Sequence, residues 1–269
     1  MNIKSKLTNA SYIKLSFKYL NAVFVYTKAF YKFGGINNLL RFYVACFFKL
    51  TSKIFTSVGK KNKYCPCCDW EGSHFLPYIE MGNVAFEAVC PKCNSHGRHR
   101  GHISFYQNNL TNISGKLLYI APEENVNFFL LNKNLEVKTS EYSQEIISDY
   151  HYDLEDIDCE DNFWDYIICH RVIEHISDDR KGMEELYRIL KKGGVCILSV
   201  PIDRGIEKTV DFGQPNPFES DHFYHYGNDF KLRIPPQFET VEYDFKNLYS
   251  KTDFKKMGLM DDLFFVCKK

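Results

Sequence analysis

The chain has 269 residues, is 45% apolar and 25% charged, and balances 34 Lys or Arg against 34 Asp or Glu. This is the composition of a folded protein with room for one α/β domain and a smaller module. The zero net charge excludes a chain-wide polyanion-binding surface, so nucleic acid is not an expected partner.

The average hides an asymmetry. Residues 1–64 carry 12 Lys or Arg and no Asp or Glu, which leaves 22 basic and 34 acidic side chains in residues 65–269. A basic head is joined to an acidic body, with a boundary near residue 64. Residues 11–33 fit a helix in which Lys14, Lys18, Lys28 and Lys32 share one stripe beside a broad apolar and aromatic face. Gly34-Gly35 ends it, and a second apolar and basic stretch runs from Ile36 to about Phe55. These features make residues 1–55 a candidate surface for an anionic membrane or a partner protein. The lysines interrupt every apolar run before it becomes a secretory signal. No run reaches the roughly 18 apolar residues that span a bilayer. Ten Cys without an export signal point to a reducing compartment. The expected location is the cytoplasm, peripheral at the membrane.

Residues 56–64 have the composition of a linker. Next come Cys65-Pro-Cys-Cys68 and, after 21 residues, Cys90-Pro-Lys-Cys93. Two CxxC knuckles offer four thiolates to one tetrahedral ion, with Zn–S of about 2.3 Å. Pro66 and Pro91 occupy the same position in each knuckle, and Gly72 and Gly82 suit the hairpin between them. Cys65, Cys68, Cys90 and Cys93 are therefore the expected ligands of a structural zinc. Cys67 is the alternative to Cys68 but would leave a CxC spacing. His96, His99 and His102 follow with Arg98 and Arg100; they are expected to cap and solvate a helix over 94–110, the alternatives being an extended metal site or a phosphate contact.

After Gly115 strands and helices alternate. Strands are expected at Lys116–Ala121, Leu135–Ser140, near Tyr152, at Phe163–His170 and at Val195–Val200. Helices are expected at Glu123–Asn132 and Asp178–Lys191, the second stopped by Gly193-Gly194. Residues 201–237 look like loop. Phe238–Phe245 and Leu263–Cys267 form a last, antiparallel pair. This pattern predicts an α/β fold with a doubly wound, mostly parallel sheet. Three segments are expected: basic helices (1–64), a zinc-ribbon module with its connecting helix (65–110), and the sheet domain (111–269).

Three stretches carry a resemblance: LLYIAPE (117–123), DLEDIDCEDNFWDYIICHRVIEHISDD (153–179) and LYRILKKGGVCILSVP (186–201). They resemble the class I S-adenosylmethionine-dependent methyltransferases, of the type 11-like kind. More narrowly, the chain looks like a bacterial branch with an N-terminal zinc ribbon. That branch shows CPxC, CPxCxSxxRHR, a strand ending in APE, then FGQ, DH and YG. Here these are Cys90–Cys93, Ser95, Arg98-His99-Arg100, Ala121-Pro122-Glu123, Phe212-Gly213-Gln214, Asp221-His222 and Tyr226-Gly227. The resemblance covers residues 65–269. One departure stands out, since the usual Gly-rich first loop is replaced by Ala-Pro-Glu-Glu-Asn.

The resemblance implies a Rossmann-like methyltransferase sheet and S-adenosylmethionine as cofactor. Ala121, Pro122 and Glu123 would face its methionine part. Glu141, with Tyr142 beside it, would take the ribose hydroxyls, because one carboxylate can accept both hydrogen bonds. Asp153 and Leu154 would flank the adenine, and His170 would face the transferred methyl. If the acceptor is a hydroxyl or an amine, a base must remove its proton, and His170 and His222 are the candidates. Glu174-His175 lacks the HxxEH spacing of a zinc hydrolase, and His175 is expected to pack at a helix start. The expected activity is methyl transfer to an unidentified acceptor, membrane-associated or glycan-related. The alternative, which the glycine-free loop favours, is a non-enzymatic zinc-ribbon binding module on a degenerate methyltransferase scaffold.

Overall fold

A computed structural model describes residues 9–51, 56, 59–80, 83–110, 113–131 and 134–269; the side chains of residues 9–23 and 128 fall outside that description. Gly82, the side chains of Lys14 and Lys18, and residues 57–58 of the expected linker thus lie outside the described residues. Contacts group the chain into two units, Met1–Lys63 with Glu71–Asn94, and Tyr64–Trp70 with Ser95–Lys269.

In the first unit, α1 (Asn9–Leu50) breaks at Gly34 and Gly35. Gly35 takes a φ of 61°, which glycine reaches without steric cost. The break lets the two arms fold together, and Phe30 stacks on Phe42 with ring centroids 4.7 Å apart. Short strands β1 (Lys63–Cys65) and β2 (Trp70–Gly72) lie where the chain passes from one unit to the other. A hairpin of β3 (Leu76–Glu80) and β4 (Asn83–Val89) follows. Val84 of β4 joins Phe30, Phe42 and Ala45 in a small core. The Arg41 guanidinium donates to the Val84 carbonyl at 2.9 Å. The other face of α1 stays open: Phe24, Tyr31, Phe33, Leu40, Phe47 and Leu50 are all exposed. Among the described residues, no helix is long and apolar enough to cross a membrane.

The second unit contains α2 (Gly97–Asn109), β5 (Gly115–Ile120), α3 (Glu124–Leu130), β6 (Leu135–Ser140) and β7 (Trp164–His170). Next come α4 (Asp179–Ile189), β8 (Leu190–Ser199), β9 (Val210–Asn216) and β10 (His222–His225). The last elements are β11 (Glu239–Asp244), α5 (Phe245–Leu248), α6 (Lys251–Lys256) and β12 (Leu263–Lys268). Six strands form one sheet in the order β11-β12-β8-β7-β5-β6. The run β6, β5, β7, β8 is parallel, and β12 is antiparallel to both β8 and β11. The mixed sheet, with its antiparallel C-terminal strand, is the one expected from the sequence.

The central strands β5 and β7 and the second half of β8 are apolar almost throughout because helices cover both faces. Leu118, Ile120, Ile167 and Cys169 pack with Met183, Leu186 and Ile189 of α4. Leu117, Tyr119 and Ile168 point the other way, onto Ile103 and Tyr106 of α2 and Val126 and Leu130 of α3. The Asp178 carboxylate caps α4 by accepting from the Lys181 N–H at 3.0 Å. Gly101 brings α2 against α5: an added Cβ would stand 2.1 Å from the Phe245 ring.

Three expectations change. The helix ends at Ile189, before Gly193-Gly194, which instead lie within β8, where Gly193 takes a φ of 77°. Its N–H donates to the Lys269 carbonyl at 2.7 Å, so the glycine turn docks the residue that follows β12. Residues 201–237 are not plain loop but hold the β9–β10 hairpin. The strand near Tyr152 reduces to a single parallel bridge, Ser140 to Tyr150.

Candidate cofactor cavity and cysteine centre

The strand order reverses between β5 and β7, and in open α/β sheets ligands bind beyond the carboxyl ends of strands at that point. A cavity of about 410 Å³ opens there. Ala121, Glu141, Tyr142, Asp153 and Leu154 line it, together with Val172, His175, Ile176 and Phe223. Five residues singled out in the sequence thus surround one space, although 33 positions separate the first from the last.

Ala121 turns the chain out of β5 with a φ of 46°, and its N–H donates to the Ser140 carbonyl at 2.8 Å. A left-handed residue with a Cβ costs roughly 1–2 kcal/mol, so the glycine-free loop uses the smallest side chain at its sharpest point. Glu141 is fixed through its backbone: its N–H donates to the Tyr150 carbonyl at 3.1 Å, and its carbonyl meets His151 Nδ1 at 3.2 Å. Partial burial pushes its carboxyl pKa up. Tyr142 stands at the mouth, 76% exposed. Asp153 Oδ1 accepts from the Glu155 N–H at 2.9 Å, closing a tight turn that leaves Leu154 buried.

Glu155 was not singled out in the sequence. Its Oε1 accepts from the Ser177 N–H and Oγ, both at 2.7 Å, and from the Asp178 N–H at 3.0 Å. Desolvation pushes its pKa up, but these donors outweigh it and hold the carboxyl below its ordinary range. Glu155 thereby ties the two walls of the cavity together. Its only sequence signal was its place in an acidic run.

Pro122 and Glu123 do not line the cavity. Glu123 Oε1 accepts from Arg98 Nε at 3.0 Å and Nη2 at 2.5 Å, and lies 2.8 Å from His99 Nε2. Burial pushes the Glu123 pKa up, but the His99 hydrogen bond and the Arg98 charge prevail and hold it far below the carboxylate range. Arg100, fully buried, donates to the carbonyls of Met257 at 2.5 Å and Gly258 at 2.8 Å, and to that of Ser95. The Arg98-His99-Arg100 run is therefore internal fastening and not a solvated helix face.

His170 does not face the cavity. The alternation of β7 turns residue 170 toward α2, with Tyr166 and Ile168. There it is 2% exposed, its Nε2 is 2.7 Å from the Tyr106 hydroxyl, and its Nδ1 is 2.7 Å from Ser199 Oγ. Burial drives its pKa well below 6.5. A neutral imidazole with both nitrogens engaged is a poor base, which corrects the catalytic role expected for it. His222 lines a neighbouring cavity of about 720 Å³ with Arg171, Asp203, Arg204 and His225. Its ring packs against that of His175, with centroids 4.7 Å apart. His175 is exposed on the cavity wall and not packed at a helix start. Between them, Glu174 is 1% exposed, and burial pushes its pKa up to about 7.

Cys65, Cys68, Cys90 and Cys93 present sulfurs that all lie within 4.8 Å of one another. Sulfurs about 2.3 Å from a tetrahedral zinc stand about 3.8 Å apart, so the four thiols fit that ion after a small contraction. Each knuckle turns on itself: the Cys68 N–H donates to the Cys65 carbonyl at 3.3 Å, and the Asn94 N–H to the Cys90 carbonyl at 3.0 Å. The residue after each knuckle is left-handed, Asp69 at φ 54° and Asn94 at φ 57°. Asp and Asn are the non-glycine residues that tolerate this best. Ser95 Oγ lies 3.2 Å from Cys65 Sγ. Cys67 instead packs against the apolar cluster around Ile103 and Tyr106. We expect Cys68→Ser to lose thiolate-bound zinc and Cys67→Ser to keep it, as measured by metal release on thiol titration of the folded chain. Equal loss in both variants would reverse the assignment.

The sheet order and the cavity at its reversal define the Rossmann-like methyltransferase fold. Residues 126–198 match the family described as "Methyltransferase domain", in agreement with the resemblance drawn from the sequence. No curated protein matches the chain. Several solved structures are similar. A SAM-dependent methyltransferase from Archaeoglobus fulgidus is 11% identical with a TM-score of 0.45, covering 62% of this chain and 92% of that one. Phosphoethanolamine N-methyltransferase 2 of Haemonchus contortus, solved with S-adenosyl-L-methionine, is 14% identical with a TM-score of 0.43, covering 63% and 52%. The [4+2]-cyclase SpnF is 12% identical with a TM-score of 0.45, covering 84% and 94%.

Proposed function

We propose that the chain is an S-adenosylmethionine-dependent methyltransferase. The observation that carries this reading is the convergence of the β5 turn at Ala121, the carboxylate of Glu141 and the Asp153-Leu154 turn on one cavity. Its volume lies within the usual range for small-molecule sites. The donor set suits the cofactor: Glu141 takes the ribose hydroxyls, Asp153 accepts from the adenine amino group, and Leu154 and Ile176 enclose the ring. The bound cofactor supplies a methyl group on a sulfonium, already activated for in-line displacement. The chain then has mainly to position the acceptor and exclude water. Calorimetric titration with S-adenosylmethionine tests the reading, and we expect saturable binding. No heat at millimolar cofactor would favour the non-enzymatic binding module instead.

The exposed aromatic face of α1, with Lys28 and Lys32 beside it, supports a second element of this reading. The first unit docks peripherally on an anionic membrane at its cytoplasmic face. The acceptor is then presented at that surface. The full chain should co-sediment with vesicles of phosphatidylglycerol and less with phosphatidylcholine. Equal recovery in both supernatants would exclude the docking.

A further inference from the structure

The sequence pairs Glu174 with His175 and sets His222 next to Asp221, but the two histidines are 47 positions apart. The fold closes that gap. After β7 the chain turns at Arg171, with a φ of 56°, into a single 3₁₀ turn over Ile173–His175. This turn points Glu174 inward and His175 outward. From the other side, Ser220 and Asp221 both adopt left-handed backbone, at φ 56° and 61°, and deliver His222 at the start of β10. One ligand atom each from Glu174, His175 and His222 then lies within 4.8 Å of the others.

The carboxylate makes this more than a chance cluster. Glu174 is 1% exposed, and its Oε2 has no hydrogen-bond partner among the described residues. An unsatisfied buried carboxylate oxygen costs free energy that a packed interior does not tolerate without a reason. Its neighbours are two imidazoles whose rings stand at 82° to each other, 4.7 Å between centroids. Asp221 stands beside the His175 ring, a place from which an outer partner can orient a ligating imidazole. Ligands about 2.0–2.2 Å from an ion stand roughly 3–4 Å apart, so small side-chain rotations bring these three into a coordination sphere.

We propose that Glu174, His175 and His222 bind a divalent first-row cation such as Mn²⁺, distinct from the cysteine centre. Two nitrogens and one carboxylate oxygen suit such an ion and leave coordination positions open. His175 lines the cofactor cavity and His222 the neighbouring one, so the ion would stand between the two cavities. A hydroxyl of the acceptor bound there would be polarised and would release its proton to solvent water more readily as its oxygen takes the methyl group and the sulfonium leaves as a neutral thioether. This role rests on the methyl-transfer reading, whereas the binding of the ion does not.

The test is electron paramagnetic resonance of added Mn²⁺ with the full chain, first supplied with one equivalent of zinc so that the thiols are filled. The wild type should take up one Mn²⁺ per chain. His175→Ala and His222→Ala should each weaken that binding by at least about 10-fold. Both rings are partly solvent-facing, so circular dichroism should show the fold retained. Glu174→Gln, which keeps the side-chain volume, should weaken it as well. Absence of Mn²⁺ binding up to millimolar concentration, or binding unmoved by the double histidine change, overturns the site. Calorimetry with S-adenosylmethionine on the same samples separates that failure from a failure of the methyl-transfer reading.

Discussion

Glu123→Gln should lower the stability of the second unit by about 3 kcal/mol, the order of loss seen when one partner of a buried ion pair is removed. For a unit of this size that is a fall of roughly 6–12 °C in melting temperature. The amide preserves shape but no longer balances Arg98 and His99, which share a single carboxylate oxygen. The change should also alter the response to acid. The Glu123 pKa lies far below its ordinary value of 4.5 in the folded chain. Its contribution is therefore complete above about pH 4.5 and declines as pH falls toward the folded value. Acid denaturation of the wild type should steepen below pH 4.5, and that of the variant should steepen less. Thermal melts from pH 7 to pH 3 measure both effects. Identical curves for the two proteins would mean that Arg98 and His99 contribute nothing through Glu123.

Glu141→Ala should weaken S-adenosylmethionine binding by about 10- to 100-fold, because hydrogen bonds to a charged group contribute about 1.5–3 kcal/mol. The fold should not change, since Glu141 is held through its backbone. Glu141→Gln should recover part of the loss, because an amide oxygen still accepts one ribose hydroxyl. Calorimetry on the three proteins separates these cases. Equal affinity in all three would remove Glu141 from the cofactor site.

Much of this was legible in the sequence, for physical reasons. The strands at 116–121, 163–170 and 195–200 are buried on both faces, so their apolar runs are unbroken. Paired CxxC motifs have few uses apart from metal ligation and redox chemistry. The β9–β10 hairpin was hidden because β9 is mostly solvent-exposed along its length and shows no alternation. His170 was misplaced because its orientation depends on Tyr106 and Ser199, 64 and 29 residues away. Arg100 offered no local hint of burial, as two of its three carbonyl partners lie more than 150 residues further on. Glu174 and His175 were legible as a pair, but their neighbour His222 was brought in by a hairpin that the sequence did not announce.

The position of β12 has a consequence for how the domain is made. It is an interior strand, flanked by β8 and β11, yet it spans residues 263–268. While the chain is being synthesised, β8 can pair with β7 but keeps its other edge open, with Ile197 and Leu198 awaiting Phe265 and Val266. An unpaired edge rich in β-branched and aliphatic residues is a template for the wrong partner. The sheet can close only once β12 has been made; until then β8 keeps an open edge and β11 has no strand to pair with. Chaperone dependence during synthesis, and not during refolding of the finished chain, is the expected signature of that topology.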